Sequence, residues 1–407
     1  MDLAGNTKDT EGKLSIGLLT LGFHGEMKEA TKITILLLAK ALQKRGHKVI
    51  IISDQRPGLP NKEVFQDITV YRRKWLGGRL SHHFGGAWGI KDIEKQEGAF
   101  DIIHNFSSAP VMVLRGWLAK KRSKNKNIKL IHTIKSRSRD WLGTIKLARF
   151  LNLADAVTVQ SHKLKQELLS NGVDKKKLRL VHSHVDTKQF VPMDQAKLRE
   201  THKHLGLKKH DFVVFYYGPF VKRKGIGYLL KAIPLVWQKN KNIKFLLSCK
   251  TRKIPSLYEQ LIAQLGICQG EQAKNVHIMF SPETIPPYLN MGSMVVMPYP
   301  ALVATETNPS CIIESMACKV PVIMSDLPEL REFFMSSPQL GNSAYFKPKS
   351  EKAIAERILA IAKDAGLRKK LTDLGFILAK NYDLQKIVAE YEGIYQKVTR
   401  RSTIKFG

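Results

Sequence analysis

An α/β fold of two doubly wound domains is predicted by three observations on this 407-residue chain. Short apolar strands alternate with amphipathic helical stretches, and that alternation occurs twice. A polar, charge-rich segment, Thr187–Asp211, divides the two runs. Alternation of this kind builds parallel sheets with helices on both faces. A chain of this length is also long enough for two cores and too long for one ordinary domain.

The first run opens with the buried-strand pattern Leu14–Leu21 and the loop Gly22-Phe23-His24-Gly25. A helical stretch follows from about Ala30, with Ile33, Leu36, Leu37 and Ala41 at helical spacing, and Gly46 stops it. Further strands are expected at Val49–Ile52, Ile68–Tyr71, Ile102–His104, Leu130–Ile134 and Ala156–Val159. The second run comprises Phe212–Tyr216, Ile243–Leu247, Val276–Met279, Met294–Met297 and Val320–Met324. Helices are expected over Glu351–Lys380 and Gln385–Val398. These patterns divide the chain into 1–190, 191–380 and a terminal helix within 381–407.

Composition sets the broad class. The chain is 43% hydrophobic and 25% charged, as in a soluble globular protein. Cys249, Cys268, Cys311 and Cys318 show neither zinc-ligand spacing nor a disulfide framework, which suits a reducing compartment. No apolar run approaches the roughly 20 residues that span a bilayer, and the first is too short for a signal peptide. A cytoplasmic location, peripheral at the inner face of a membrane, is expected. The net charge of +32 predicts attraction to lipid headgroups, nucleic acid or phosphorylated acceptors, unless the basic surface is simply solvated. Val111–Arg122, followed by Lys124, Lys126 and Lys129, reads either as a membrane-interface segment around Trp117 or as a core helix with a basic tail. Trp75–Arg79 is a second candidate contact.

Two stretches carry candidate chemistry. In Thr305–Ala317, Asn308 is a good N-cap and Pro309 a good first helical residue. Glu306 then precedes the helix and Glu314 lies nearly two turns inside it. Backbone N–H groups near Ser310 and Cys311 offer the positive end of the helix to a phosphate. In Tyr216–Ala232, a strand leads through a basic loop to a helix. There Gly218 permits close approach to a ligand, and Lys224 places a cation where a leaving diphosphate accumulates charge.

These stretches resemble glycosyltransferase family 4: the first its E-x7-E element, the second its G-R-x4-K-G element. The resemblance implies a retaining enzyme of the GT-B fold, two Rossmann-like domains facing a cleft, with a nucleotide-sugar donor held by the second domain. It implies that Glu314 accepts the ribose hydroxyls, Glu306 contacts the donor sugar and Lys224 stabilises the diphosphate. Gly218, Arg223, Asn308, Pro309, Ser310 and Cys311 complete the expected donor-binding set. Several positions depart from the family pattern. Pro219 stands at the arginine, so Arg223 or Lys222 is expected to reach in instead. Glu29 and Ala30 stand at a Gly-Gly pair, with Gly22 and Gly25 upstream as substitutes. Lys135 replaces a histidine, Ser183-His184-Val185-Asp186 replaces an Asn-Gly-Val-Asp turn, and Lys319 replaces a glycine.

Gly22, His24, Gly25, Lys135 and Arg137 form the expected acceptor side, with Arg139 adding to a cationic rim. His104 and His132 read as packed strand residues. No D-x-D motif occurs, so neither a metal nor another cofactor is expected; the nucleotide sugar is a substrate. The implied reaction moves a sugar to a lipid-linked or otherwise anionic acceptor at the cytoplasmic membrane face. Two other readings are a nucleotide-sugar-binding protein without transfer and a basic nucleic-acid-binding protein. The latter lacks any recognition motif, and no nucleic-acid partner is expected.

Overall fold

A computed structural model describes residues 12–24, 30–74, 81–107, 110–137, 150–208, 210–250 and 253–400. The chain divides into two compact units, Met1–His182 with Leu384–Gly407, and Ser183–Asp383.

The first unit is built on β1 (Ser15–Leu19), β2 (Lys48–Asp54), β3 (Lys62–Phe65), β4 (Ile68–Arg73), β5 (Ile102–Phe106), β6 (Lys129–Ile134), β7 (Ala156–Val159) and β8 (Leu178–Leu180). Their order in the sheet is β3-β4-β2-β1-β5-β6-β7-β8. Neighbours are parallel except for the β3–β4 hairpin. Central strands are buried along most of their length, which is why they read as continuous apolar runs. The hairpin turns through Gln66 and Asp67 at φ 47° and 69°. No glycine marks this left-handed turn, and β3 is polar and part-exposed, so the sequence carries no signal for it.

The Ala30–Lys44 helix buries Ile35, Leu38, Ala39, Ala41 and Leu42 against this sheet, while Ile33 is exposed. Leu384, Ile387, Val388, Tyr391 and Tyr395 of the Leu384–Arg400 helix join the same cluster as Ile16 and Leu18 of β1. Their spacing is one helical face.

The second unit holds β9 (Val213–Gly218), β10 (Lys244–Cys249), β11 (Val276–Phe280), β12 (Met294–Met297), β13 (Val322–Ser325) and β14 (Tyr345–Phe346). The order is β11-β10-β9-β12-β13-β14, and every neighbouring pair is parallel. The helix after β9, Ile226–Trp237, buries Leu229, Leu230, Ile233 and Val236 on the sheet.

The segment expected as a linker, Thr187–Asp211, belongs to this unit. It contains the helix Gln195–His204, whose N-cap Asp194 accepts a hydrogen bond from the Ala196 N–H, and Leu198 anchors it in the core. The stretch expected as one helix over Glu351–Lys380 is two, Glu351–Lys363 and Ala365–Ala379. The break comes at Asp364, whose Oδ1 caps the Leu367 N–H at 2.8 Å. Ligand-bearing loops of parallel sheets lie beyond the carboxyl ends of the strands, here those of β9, β10 and β12.

Candidate functional site

All donor-side candidates fall in the second unit. Beyond β9 the chain makes a single 3-10 turn, Lys222–Lys224, and enters the next helix through Gly225 at φ 73°. A Cβ on Gly225 would stand 1.6 Å from the Pro298 carbonyl oxygen, so both the backbone angle and the space demand glycine. That close approach seats the turn against the segment after β12. From there Lys224 Nζ donates to Thr305 Oγ1 at 2.7 Å and lies 4.9 Å from the centre of the Tyr299 ring. Burial lowers the Lys224 pKa below the usual lysine value, and the negative charge of Glu306 is among the effects that oppose that shift. Lys224 and Glu306 thus lie near enough for their charges to interact.

The Glu-bearing helix is Ser310–Ala317. Asn308 does not cap it: Pro309 occupies the N-cap position without a side-chain bond to the helix. The Asn308 side-chain Oδ1 instead accepts from the Ser183 N–H at 3.0 Å, tying the Ser183–Asp186 turn to the site loop. Glu314 lies near enough to Glu306 for their charges to interact. Tyr217 Oη, from the end of β9, lies 2.7 Å from Glu314 Oε2 and 2.8 Å from the Cys311 carbonyl oxygen. Burial raises the Glu314 pKa, and the Tyr217 hydroxyl, Lys250 and Ser310 pull it back, while Glu306 raises it further. Cys311 Sγ sits 3.2 Å from Tyr299 Oη, and burial raises its pKa to about 11, so the thiol is protonated at neutral pH. Gly218 ends β9, where a Cβ would come 3.2 Å from Tyr216 Oη.

Two non-glycine residues at this end of the sheet adopt left-handed backbone: Ala304, just before Thr305, at φ 51°, and Ser281, after β11, at φ 47°. Such conformations persist where surrounding structure over-determines them, often at functional sites. Lys319, where the family pattern has glycine, also sits at φ 56°.

Lys222 and Arg223 are exposed, and Arg223 is near enough for its charge to disfavour the Lys224 ammonium. The cation that sequence reasoning missed is Lys250, the residue after β10, whose charge bears on Lys224, Cys311 and Glu314. Nothing in the sequence marks it, because only the pairing of β10 with β9 brings it here. A separate hollow of about 640 Å³ on the same unit, bounded in part by Asp326, Arg331, Tyr345 and Lys347, has no lining residue in the Lys224 cluster.

Among the described residues, Lys135 and Arg137 of the expected cationic rim are each held by partners in the first unit. Lys135 is only 7% exposed, and its Nζ donates to Thr34 Oγ1. Arg137 makes a two-pronged pair with Glu167, its Nε donating to Oε2 at 2.9 Å. Both charges are therefore engaged inside their own unit. The Gly22 N–H donates to Asp54 Oδ1, and His24 is half-buried. Gly25, Arg139 and the Trp75–Arg79 stretch lie outside the described residues.

His104 and His132 are buried and bonded. His104 Nδ1 and Nε2 lie 2.7 Å from Tyr395 Oη and 2.6 Å from Thr133 Oγ1. His132 Nδ1 accepts from Asn105 at 2.8 Å, and its Nε2 donates to the Ser107 carbonyl at 3.1 Å. Burial holds His104 well below its usual pKa, and burial together with Arg115 brings His132 to about 3. Below about pH 6.5 the unfolded chain takes up protons that these folded imidazoles refuse. Unfolding free energy is therefore expected to fall as pH falls, by about 1.4 kcal/mol per pH unit for each histidine. Denaturant unfolding at pH 7 and pH 5 should show the loss, and His132→Asn should remove roughly half of the contribution from this pair. An unchanged pH slope in that variant would refute the assignment.

The Pro110–Arg122 stretch packs as a helix on the first unit. Met112, Val113 and Ala119 are buried, and Trp117 packs partly buried against the first unit's core. Arg115 is buried, with its guanidinium bonded to Asn105 Oδ1 at 2.6 and 2.9 Å. Lys120 pairs with Asp155 at 2.6 Å, and Arg122 stacks 3.7 Å over the Trp88 ring. It is a core helix in which Lys120 and Arg122 are partnered, while Lys121, Lys124 and Lys126 are exposed. Among the described residues no helix is long and apolar enough to cross a membrane.

Two sheets of this order, parallel but for one hairpin, are the Rossmann-like domains seen in GT-B glycosyltransferases. Comparison with known proteins agrees. Residues 32–189 match the family model described as Glycosyltransferase Family 4, and residues 211–364 match that described as Glycosyl transferases group 1. Each unit thus carries a glycosyltransferase domain. The chain is 22% identical, over 89% of its length and 92% of the relative's, to N-acetyl-alpha-D-glucosaminyl L-malate synthase of Bacillus anthracis. Its fold is shared with a glycosyltransferase from Rickettsia africae (TM-score 0.77, 20% identity, covering 95% of this chain and 98% of that one). It is shared also with Anabaena HepE in complex with UDP-glucose (TM-score 0.73, 14% identity, covering 96% and 99%).

Proposed function

We propose that the protein is a retaining glycosyltransferase whose second unit holds a nucleotide-sugar donor. The observation that carries this reading is the convergence of Lys224, Thr305, Glu306 and Glu314 beyond the ends of β9 and β12. Glu314, partly satisfied by Tyr217 and Ser310, accepts the ribose hydroxyls. Glu306 binds a hydroxyl of the donor sugar. Lys224 and the N–H groups of Ser310 and Cys311 face the diphosphate, where negative charge builds as the glycosidic bond breaks. The acceptor oxygen attacks the anomeric carbon on the face the phosphate leaves, and the departing phosphate oxygen takes its proton. No side-chain base enters this scheme, and positive charge comes from the protein without a metal. The described neighbour HepE was solved with UDP-glucose, which supports a nucleotide sugar as donor.

The net charge of +32 favours an anionic or lipid-linked acceptor at the cytoplasmic face of a membrane. With Lys135 buried and Arg137 paired, that attraction rests on the surface as a whole. A second reading, donor binding without transfer, is favoured by Pro219, which offers neither charge nor N–H beside the site. Incubation with UDP-, GDP- and ADP-sugars for hours separates the two. Release of nucleoside diphosphate, accelerated by an anionic lipid-linked acceptor, is expected of the transferase. Bound donor recovered intact would establish the binder.

A further inference from the structure

We propose that Lys250 is a second cation for the donor's diphosphate, acting beside Lys224 from the neighbouring strand. The inference rests on the donor reading above and deepens it.

Position comes first. β10 pairs with β9 in parallel register, with Ser248 opposite Tyr217 and Cys249 opposite Gly218. Lys250 follows directly on β10, as Pro219 follows on β9 at the start of the loop that carries Lys224. The Lys250 N–H reaches toward the Gly218 carbonyl oxygen at 3.4 Å. Its backbone is held from the other side as well. Ser281, in its left-handed conformation, donates through Oγ to the Lys250 carbonyl at 2.8 Å and through its N–H to that of Cys249 at 2.7 Å. Lys250 therefore leaves the sheet from a fixed point.

Charge comes second. The Lys250 ammonium favours the anionic forms of Glu314 and Cys311 and disfavours the cationic form of Lys224. It thus acts on the same small region as Lys224 and Glu314, two of the groups assigned to the donor. Two lysines that repel each other around one region are stabilised when an anion lies between them. A nucleoside diphosphate carries more negative charge than one ammonium neutralises, and Pro219 supplies none. The other cations of the turn, Lys222 and Arg223, are exposed.

Titration calorimetry with UDP, GDP and ADP, and with the matching monophosphates, tests this on the full chain. In Lys250→Met, which keeps much of the aliphatic stem, the best-bound diphosphate should weaken about 10- to 100-fold, as for loss of a charge-assisted bond. The monophosphate should weaken less, and Lys250→Arg should stay within about threefold of the natural protein. Equal weakening of both nucleotides would make Lys250 merely structural and overturn the proposal, as would unchanged diphosphate binding. If the natural protein binds none of the three diphosphates, the donor reading itself fails.

Discussion

Lys224→Met is expected to lower sugar transfer by about 100- to 1,000-fold while leaving the fold intact or slightly more stable. The rate loss follows from removing a preorganised charge at the atoms where charge develops. The stability gain follows from the cost of holding an ammonium out of water, which burial already registers as a lowered pKa. Thr305 Oγ1 loses one donor at 2.7 Å, and Tyr299 loses a cation 4.9 Å from its ring centre. Neither loss is expected to exceed the relief of a half-buried charge. Kinetics and thermal melting on the same preparation check both halves. A variant with transfer reduced only a fewfold would remove Lys224 from the reaction, and a large drop in melting temperature would make its role structural.

Glu314→Ala should act on donor affinity. A carboxylate accepting ligand hydroxyls contributes about 1.5–3 kcal/mol, so KM for the donor should rise roughly 10- to 100-fold with a smaller change in kcat. The Tyr217 hydroxyl keeps the Cys311 carbonyl as an acceptor at 2.8 Å, so the end of β9 should hold its shape. Glu314→Gln should recover part of the affinity, because an amide oxygen still accepts one bond. An unchanged KM in the alanine variant would separate Glu314 from the donor.

Much of this fold was legible because buried parallel strands leave long apolar runs and their helices leave a 3.6-residue period. The elements that escaped lack those marks. β3 is polar, and its turn through Gln66 and Asp67 contains no glycine. The helix Gln195–His204 is almost wholly polar and is held mainly by Leu198. At the site, Glu306, Glu314 and Lys224 were legible because their local context, a helix entry and a basic loop, is written in adjacent residues. Asn308 misled for the opposite reason: its side chain is claimed by Ser183, 125 residues away in sequence. Lys135 and Arg137 read as a cationic rim because neither Thr34 nor Glu167 is near them in the chain. Lys250 was invisible, since register across a sheet is decided by partners that the strand itself does not name.

The most direct test is a thermal-shift panel of UDP-, GDP- and ADP-sugars on the natural protein and on the Lys224→Met/Glu314→Ala double variant. At a ligand concentration about 100 times Kd, binding stabilises the native state by about 2.7 kcal/mol, which for a unit of this size is a rise of roughly 5–10 °C. At least one donor should raise the natural protein by that order and leave the double variant unmoved. No shift with any donor, or the same shift in both proteins, would contradict the account.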